Sequence, residues 1–318
     1  MVAVRSTTML AISAASASGV VLPSVAVNTA IGGIAGGLGA LAVYPLDFIK
    51  TQLQSNEGAA QYEDGPDAFV SILRRDGPLA LYKGVGTQIA GVAPEKTIKL
   101  LVNDAVRGAI RGSLGFIPLA GEVAAGFAAG TCQVLVTNPL EVVKVRLQTS
   151  GDDLPTVLAE VGAAGLFIGA GACVARDATF SAILFPAYAH LKPIVADGLG
   201  VVGAPGLALA GLLAAAPAAA FTTPADVVKT IQQASREQAA GGGGGRRAIT
   251  MASLPATAAD ASAREVVAEL VQAEGVGGLY RGALERVLRS APQFAITLSA
   301  FDLLRQAAVD QGLLTIAG

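Results

Sequence analysis

Tyr44-Pro45-Leu46-Asp47-Phe48-Ile49-Lys50 closes a long uncharged stretch and returns twice further along the chain. The second copy is Asn138-Pro139-Leu140-Glu141-Val142-Val143-Lys144, and the third is Thr223-Pro224-Ala225-Asp226-Val227-Val228-Lys229. In each, an acid follows the proline by two positions and a lysine follows the acid by three. A glutamine stands four residues past each lysine: Gln54, Gln148 and Gln233. The prolines are 94 and 85 residues apart. Self-similarity at a near-constant period marks a chain built from repeated units.

A second motif trails each copy. Asp76-Gly77 precedes Tyr82-Lys83-Gly84, and Glu274-Gly275 precedes Tyr280-Arg281-Gly282. The middle version is worn to Val161-Gly162 and Phe167-Ile168-Gly169. Ten residues past the last glycines stand Pro94, Thr179 and Pro292. From proline to glycine the spacing is 39, 30 and 58 residues, so the middle loop is trimmed and the third enlarged. The enlargement holds Gly241–Gly245 and a low-complexity run to Ala261, which reads as a flexible linker.

Three stretches lack Asp, Glu, Lys and Arg: Ser6 to Leu46, Val123 to Leu140 and Gly198 to Ala225. A helix needs about 20 mainly apolar residues to cross a bilayer, so these predict three membrane segments. Weaker segments near 84–110, 170–192 and 283–305 are broken by charges, and the repeat argues for counting them too. Of the 318 residues, 53% are hydrophobic and 14% charged, with 39 Gly, no Trp and a net charge of −2. Soluble domains carry about 25% charged residues, and a near-neutral chain makes a poor nucleic-acid partner. Small residues let membrane helices approach closely. Gly32/Gly33 with Gly36/Gly37, Gly126 with Gly130, and Gly211 with Ala215 have that spacing. Cys132 and Cys173 sit in apolar stretches without metal-type spacing and read as buried hydrophobes. Met1 to Asn28, with one Arg and no acid, suits an organelle-targeting segment and a disordered tail equally.

An acid and a lysine three apart can pair on their own helix, for a few tenths of a kcal/mol. Three copies, each just after a helix-bending proline at the end of an apolar run, ask for partners elsewhere.

Together these motifs resemble the three repeats of the mitochondrial carrier family, over nearly the whole chain from about residue 28 onward. The resemblance implies an all-α membrane protein: six transmembrane helices in three pseudo-threefold repeats, with short surface helices on the matrix side. The repeats would be 28–114, 115–198 and 199–310, the third carrying a Gly-rich insertion at 236–262, with tails at 1–27 and 311–318. The first surface helix would include Pro66 to Arg75, with Ala68, Phe69, Ile72 and Leu73 as its apolar face; the third would include Ala263 to Glu274.

The same resemblance implies that each acid pairs with the lysine of the next repeat. Asp47–Lys144, Glu141–Lys229 and Asp226–Lys50 would close a matrix gate, braced by Gln54, Gln148 and Gln233. At the far ends of the even helices a cytoplasmic gate would use Asp104 with Arg107, Tyr188 with Lys192, and Phe301 and Asp302 with Arg305. Asn103 replaces the aromatic and Ala189 the acid, so one cytoplasmic link is expected to be missing and that gate weaker.

Substrate contacts in the family lie seven residues past each second-motif glycine. They fall here on Gly91, Arg176 and Arg289, with Glu95, Lys96 and Asp177 close by. Charges at bilayer depth are costly unless they line water, a ligand or one another. Two arginine forks match carboxylates, and Asp177 or Glu95 could take an ammonium, so the layer suits a dicarboxylic amino acid. Burial favours the protonated carboxyl, which makes Glu95 or Asp177 the candidate for a coupled proton. His190, the one histidine, falls near the cytoplasmic helix end and reads as a bystander.

Longer stretches sharpen the match: Gly91-Val92-Ala93-Pro94-Glu95-Lys96, Ala175-Arg176-Asp177, Phe185-Pro186-Ala187-Tyr188-Ala189-His190 and Arg289-Ser290-Ala291-Pro292-Gln293-Phe294. They resemble the carrier domain of the mitochondrial aspartate/glutamate carriers, with the glutamate carriers near by. Exchange of aspartate for glutamate plus a proton across the inner membrane, by alternating access, is what this implies. A glutamate/proton symporter, a carrier of another carboxylate or amino acid, and a non-transporting membrane scaffold remain open. The expected partners are acidic amino acids and membrane lipids, cardiolipin among them, with the chain acting as a monomer. No nucleophile–base pair, metal cluster or cofactor loop stands out, so neither catalysis nor a cofactor is expected. No EF-hand pattern is present, and calcium control on this chain is not expected. Ala178-Thr179 and Ile231 depart from the family pattern.

Overall fold

The computed structural model describes residues 24–54, 65–150, 154–167, 170–228, 263–280 and 282–314. Most of the N-terminal tail and the Gly-rich insertion therefore lie outside the described residues. The main helices are α1 (Ser24–Gln54), α2 (Gly65–Asp76), α3 (Val85–Leu114), α4 (Leu119–Ser150) and α5 (Leu154–Gly165). They continue with α6 (Ala170–Pro193), α7 (Gly203–Phe221), α8 (Ala263–Glu274) and α9 (Ala283–Asp310). Residues 223–228 are also helical, and there is no strand among the described residues.

The long helices α1, α3, α4, α6, α7 and α9 pack into a ring. Each touches the next in chain order, and α9 closes back onto α1. Of these, α1, α4 and α7 are long and apolar enough to cross a membrane, over Ala26–Ile49, Leu119–Val143 and Gly203–Phe221. The other three carry more charge, and on two of them the ring draws it inward: Lys96 and Lys99 of α3 are buried, and Arg176 and Asp177 of α6 half-buried. The ring therefore presents its apolar side outward, with Phe127, Leu135 and Val136 of α4 exposed. Its core runs through Leu184, Phe185, Phe294, Leu298 and Phe301.

The glycines of the second motif have a geometric reason. Gly84 and Gly282 cap the starts of α3 and α9 at φ of 85° and 77°, a left-handed turn that side chains resist. Gly77, Gly162 and Gly275, the equivalent earlier glycines, also adopt positive φ. The worn middle copy thus keeps the backbone turn even where its acid is gone.

Small residues set how closely the helices meet. A Cβ on Gly126 or Gly130 of α4 would strike the backbone of Ser181 or Asp177 on α6. On Gly211 of α7 it would come within 2.8 Å of Ala295 Cα on α9, and on Gly36 of α1 within 2.8 Å of Lys96 Cβ on α3. Gly33 and Gly37 have more room, their nearest neighbours lying at 3.5 Å. Because backbone cannot step aside as a side chain can, Gly130→Ala is expected to destabilise the protein by about 2 kcal/mol. Thermal unfolding in detergent checks this, and an unchanged midpoint would show that the α4–α6 contact is looser than drawn.

The first surface helix extends one residue beyond the expected bounds at each end, and α8 has the bounds expected of the third. On α2 only part of the expected apolar face is covered. Ala68 and Ile72 pack with Ile49 and Leu81, while Phe69 and Leu73 are 39% and 38% exposed. Two side chains four apart suffice against a single helix end, and the flanking pair is left outside. Cys173 is buried and Cys132 half-buried, both free thiols.

Candidate functional site

Charged side chains of α3, α6 and α9 make three sets of ion pairs. On α3, Lys96 Nζ sits 2.9 Å from Glu95 Oε1 and 4.4 Å from the centre of the Phe294 ring. On α6, Arg176 grips Asp177 with two prongs, Nε to Oδ1 at 3.0 Å and Nη2 to Oδ2 at 2.7 Å. Its third nitrogen, Nη1, reaches Asp226 Oδ1 at 3.2 Å. On α9, Arg289 donates to both carboxylate oxygens of Asp47, the Nη2 to Oδ2 bond being 3.2 Å. Gly91 borders open space, since a Cβ there would meet nothing within 4 Å.

Two of the three acids of the proline motif, Asp47 and Asp226, are thus paired with these cations. Asp47 also accepts from Gln88 Nε2 at 3.5 Å. Asp226 is held by Arg176 and by Arg286, whose Nη1 lies 2.8 Å from Asp226 Oδ2. Arg286 is anchored in turn by Thr222 Oγ1 at 3.1 Å, at the end of α7. Glu141 is exposed. The side chains of Lys50, Gln54, Lys144 and Gln148, and all of Lys229 and Gln233, lie outside the described residues. The three lysine partners expected from the sequence are among them.

At the opposite end of the ring, Asp302 of α9 receives the Tyr188 hydroxyl at 2.9 Å and Lys192 Nζ at 3.0 Å, both from α6. Lys192 Nζ also lies 4.8 Å from the centre of the Tyr188 ring. Arg305 of α9 reaches Asp104 of α3 at 2.8 Å. Phe301 is buried in the core beside them. Arg107 of α3 goes elsewhere: its Nη2 lies 2.9 Å from Glu122 Oε1, in the first turn of α4.

Several residues of the site carry no role in the sequence reading. Lys99 is only 2% exposed, with no carboxylate at ion-pair distance among the described residues. Its Nζ lies 5.6 Å and 5.8 Å from the ring centres of Phe180 and Phe294, which are themselves 4.8 Å apart. Helical spacing is the signal that finds it, because Lys99 stands three residues after Lys96 and four after Glu95. Arg286 is found the same way, three residues before Arg289. Glu122 has no such signal, since what it touches is on other helices.

Comparison with known proteins gives the arrangement a family. The mitochondrial carrier protein family matches residues 22–114, 116–198 and 202–312. A calcium-binding mitochondrial carrier protein of Dictyostelium discoideum is 43% identical over 292 residues, covering 88% of this chain and 35% of its own length. The electrogenic aspartate/glutamate antiporter SLC25A12, mitochondrial, of Mus musculus is 41% identical over 290 residues. The human SLC25A13 antiporter of the same description is 40% identical over 290 residues. Each of these two covers 87% of this chain and 40% of its own length. The chain thus spans well under half of these relatives. With three matched segments that together take in almost all of it, the chain belongs to the mitochondrial carrier protein family.

Proposed function

We propose that this chain exchanges acidic amino acids, aspartate for glutamate plus a proton, across the mitochondrial inner membrane by alternating access. The observation that carries the reading is the set of four cations on three helices: Lys96, Lys99, Arg176 and Arg289, with Glu95 and Asp177 as the local acids. A dicarboxylic amino acid presents two carboxylates and one ammonium, which is the complement of that set. The names of the similar antiporters support the same substrate class.

In this reading the six long helices cross the bilayer as three repeats, 28–114, 115–198 and 199–310, and the proline-motif end faces the matrix. The arginines then serve two masters. Arg289 is held by Asp47 and Arg176 by Asp177 and Asp226. An arriving carboxylate competes for the same forks, so binding substrate loosens the acids at the matrix end. Lys99, poised over two aromatic rings, supplies the further cation that a second carboxylate needs. In this reading Asp177 takes the substrate ammonium once Arg176 turns to the substrate carboxylate. Glu95 likewise takes the coupled proton, in this reading, when its bond to Lys96 is released.

The test is uptake of labelled glutamate into liposomes holding the purified protein, with unlabelled aspartate inside or omitted. Uptake that needs internal aspartate is the expected result. Uptake without it would favour a glutamate/proton symporter, and none in either case would remove acidic amino acids as the cargo.

A further inference from the structure

We infer that Glu122 is a positioning residue of the cytoplasmic gate, standing in for the acid that α6 lacks at Ala189. The inference rests on the alternating-access reading, but not on which solute is carried. Three helices meet at that end, and two direct links are in place: α6 to α9 through Lys192–Asp302, and α9 to α3 through Arg305–Asp104. The remaining link, α3 to α6, would need a carboxylate on α6 one residue after Tyr188, where this chain has Ala189. Arg107 is therefore left with a basic head and no acid on its neighbour. Asp104, one turn away on the same helix, is taken by Arg305.

Glu122 enters from α4, outside the trio, and fills the gap. Its side chain is buried, with Oε1 2.9 Å from Arg107 Nη2 on α3 and Oε2 2.9 Å from His190 Nε2 on α6. The approach to His190 is one of distance alone: Oε2 has no aligned hydrogen bond among the described residues, and the contact is an ion pair when His190 carries a proton. With His190 protonated, one carboxylate thus joins α3 to α6 by a two-step bridge. A buried carboxylate is tolerated when it is paired, and both of its partners come from the helices that the missing link should connect. His190, 63% exposed, is then the outer half of that bridge.

The test reads gate opening without any substrate. A single cysteine is placed by Gly91→Cys, where the structure has open space, with Cys132 and Cys173 replaced by alanine. A membrane-impermeant maleimide is applied separately to each face of the reconstituted protein. Glu122→Gln is expected to raise the ratio of cytoplasmic-face to matrix-face labelling by about three- to tenfold. Adding Ala189→Asp to Glu122→Gln, which restores an acid on α6, is expected to bring the ratio back. A general loosening of the fold would raise labelling from both faces alike and would not respond to Ala189→Asp. That outcome, or an unchanged ratio, would overturn the inference, whereas failure of glutamate uptake in the wild-type chain bears on the substrate reading alone.

Discussion

Arg176→Lys is expected to lower glutamate uptake by about 100-fold, because two directional charge-assisted bonds are lost together. Arg176 sends three nitrogens to two carboxylates: Nε and Nη2 to Asp177, and Nη1 to Asp226. An ammonium is a point charge on a flexible stem and cannot hold both acids in those directions at once. The substrate carboxylate would meet the same shortfall. The loss is expected in the rate of exchange at saturating glutamate as well as in affinity, since the fork also holds an acid of the proline motif. Uptake assays in liposomes, with folding checked by thermal unfolding, provide the measurement. Full uptake by the lysine variant would remove the forked role.

Asp47→Lys is expected to reduce exchange to background. The change replaces an acid gripped by Arg289 and touched by Gln88 with a cation facing another cation. Two second-site changes separate the roles that Asp47 could hold. If Asp47 closes a matrix gate with Lys144, adding Lys144→Asp should restore part of the exchange. Adding Arg289→Asp should not, even though it repairs the charge pair, because Arg289 is also proposed to hold substrate. A Lys144→Asp double variant no better than Asp47→Lys alone would count against the inter-repeat pair and leave Arg289 as the partner that matters.

Patterns local in the chain were the legible ones. The repeated proline motif and its glycine companion are short-range regularities with a backbone cause, and the positive φ at Gly77, Gly84, Gly162, Gly275 and Gly282 gives that cause. The bounds of α8, and nearly those of α2, are those that the family resemblance implies. Where meaning depends on a neighbour in space, the sequence falls silent. Phe69 and Leu73 share a helical face with Ala68 and Ile72, yet only the latter two pack with Ile49 and Leu81. Glu122 looks like an ordinary acid in a first helical turn until Arg107 and His190 are seen on either side of it. Lys99 was readable as a same-face companion of Lys96, but its burial against Phe180 and Phe294 depends on three helices converging.

The glycine contacts also divide the wall of the ring mechanically. Backbone meets glycine at α1–α3, α4–α6 and α7–α9, and again at α1–α9, where a Cβ on Gly39 would come within 2.8 Å of the Gln293 carbonyl oxygen. At α3–α4, a Cβ on Gly121 would meet side-chain atoms of Ile110 and Pro118 at 3.3 Å. Side-chain tips can slide past one another, whereas interlocked backbones move as one piece. Interlocked backbone thus joins α7, α9, α1 and α3 into one run and α4 and α6 into another. A rigid-body motion that keeps these interlocks intact carries α4 and α6 together against the other four helices.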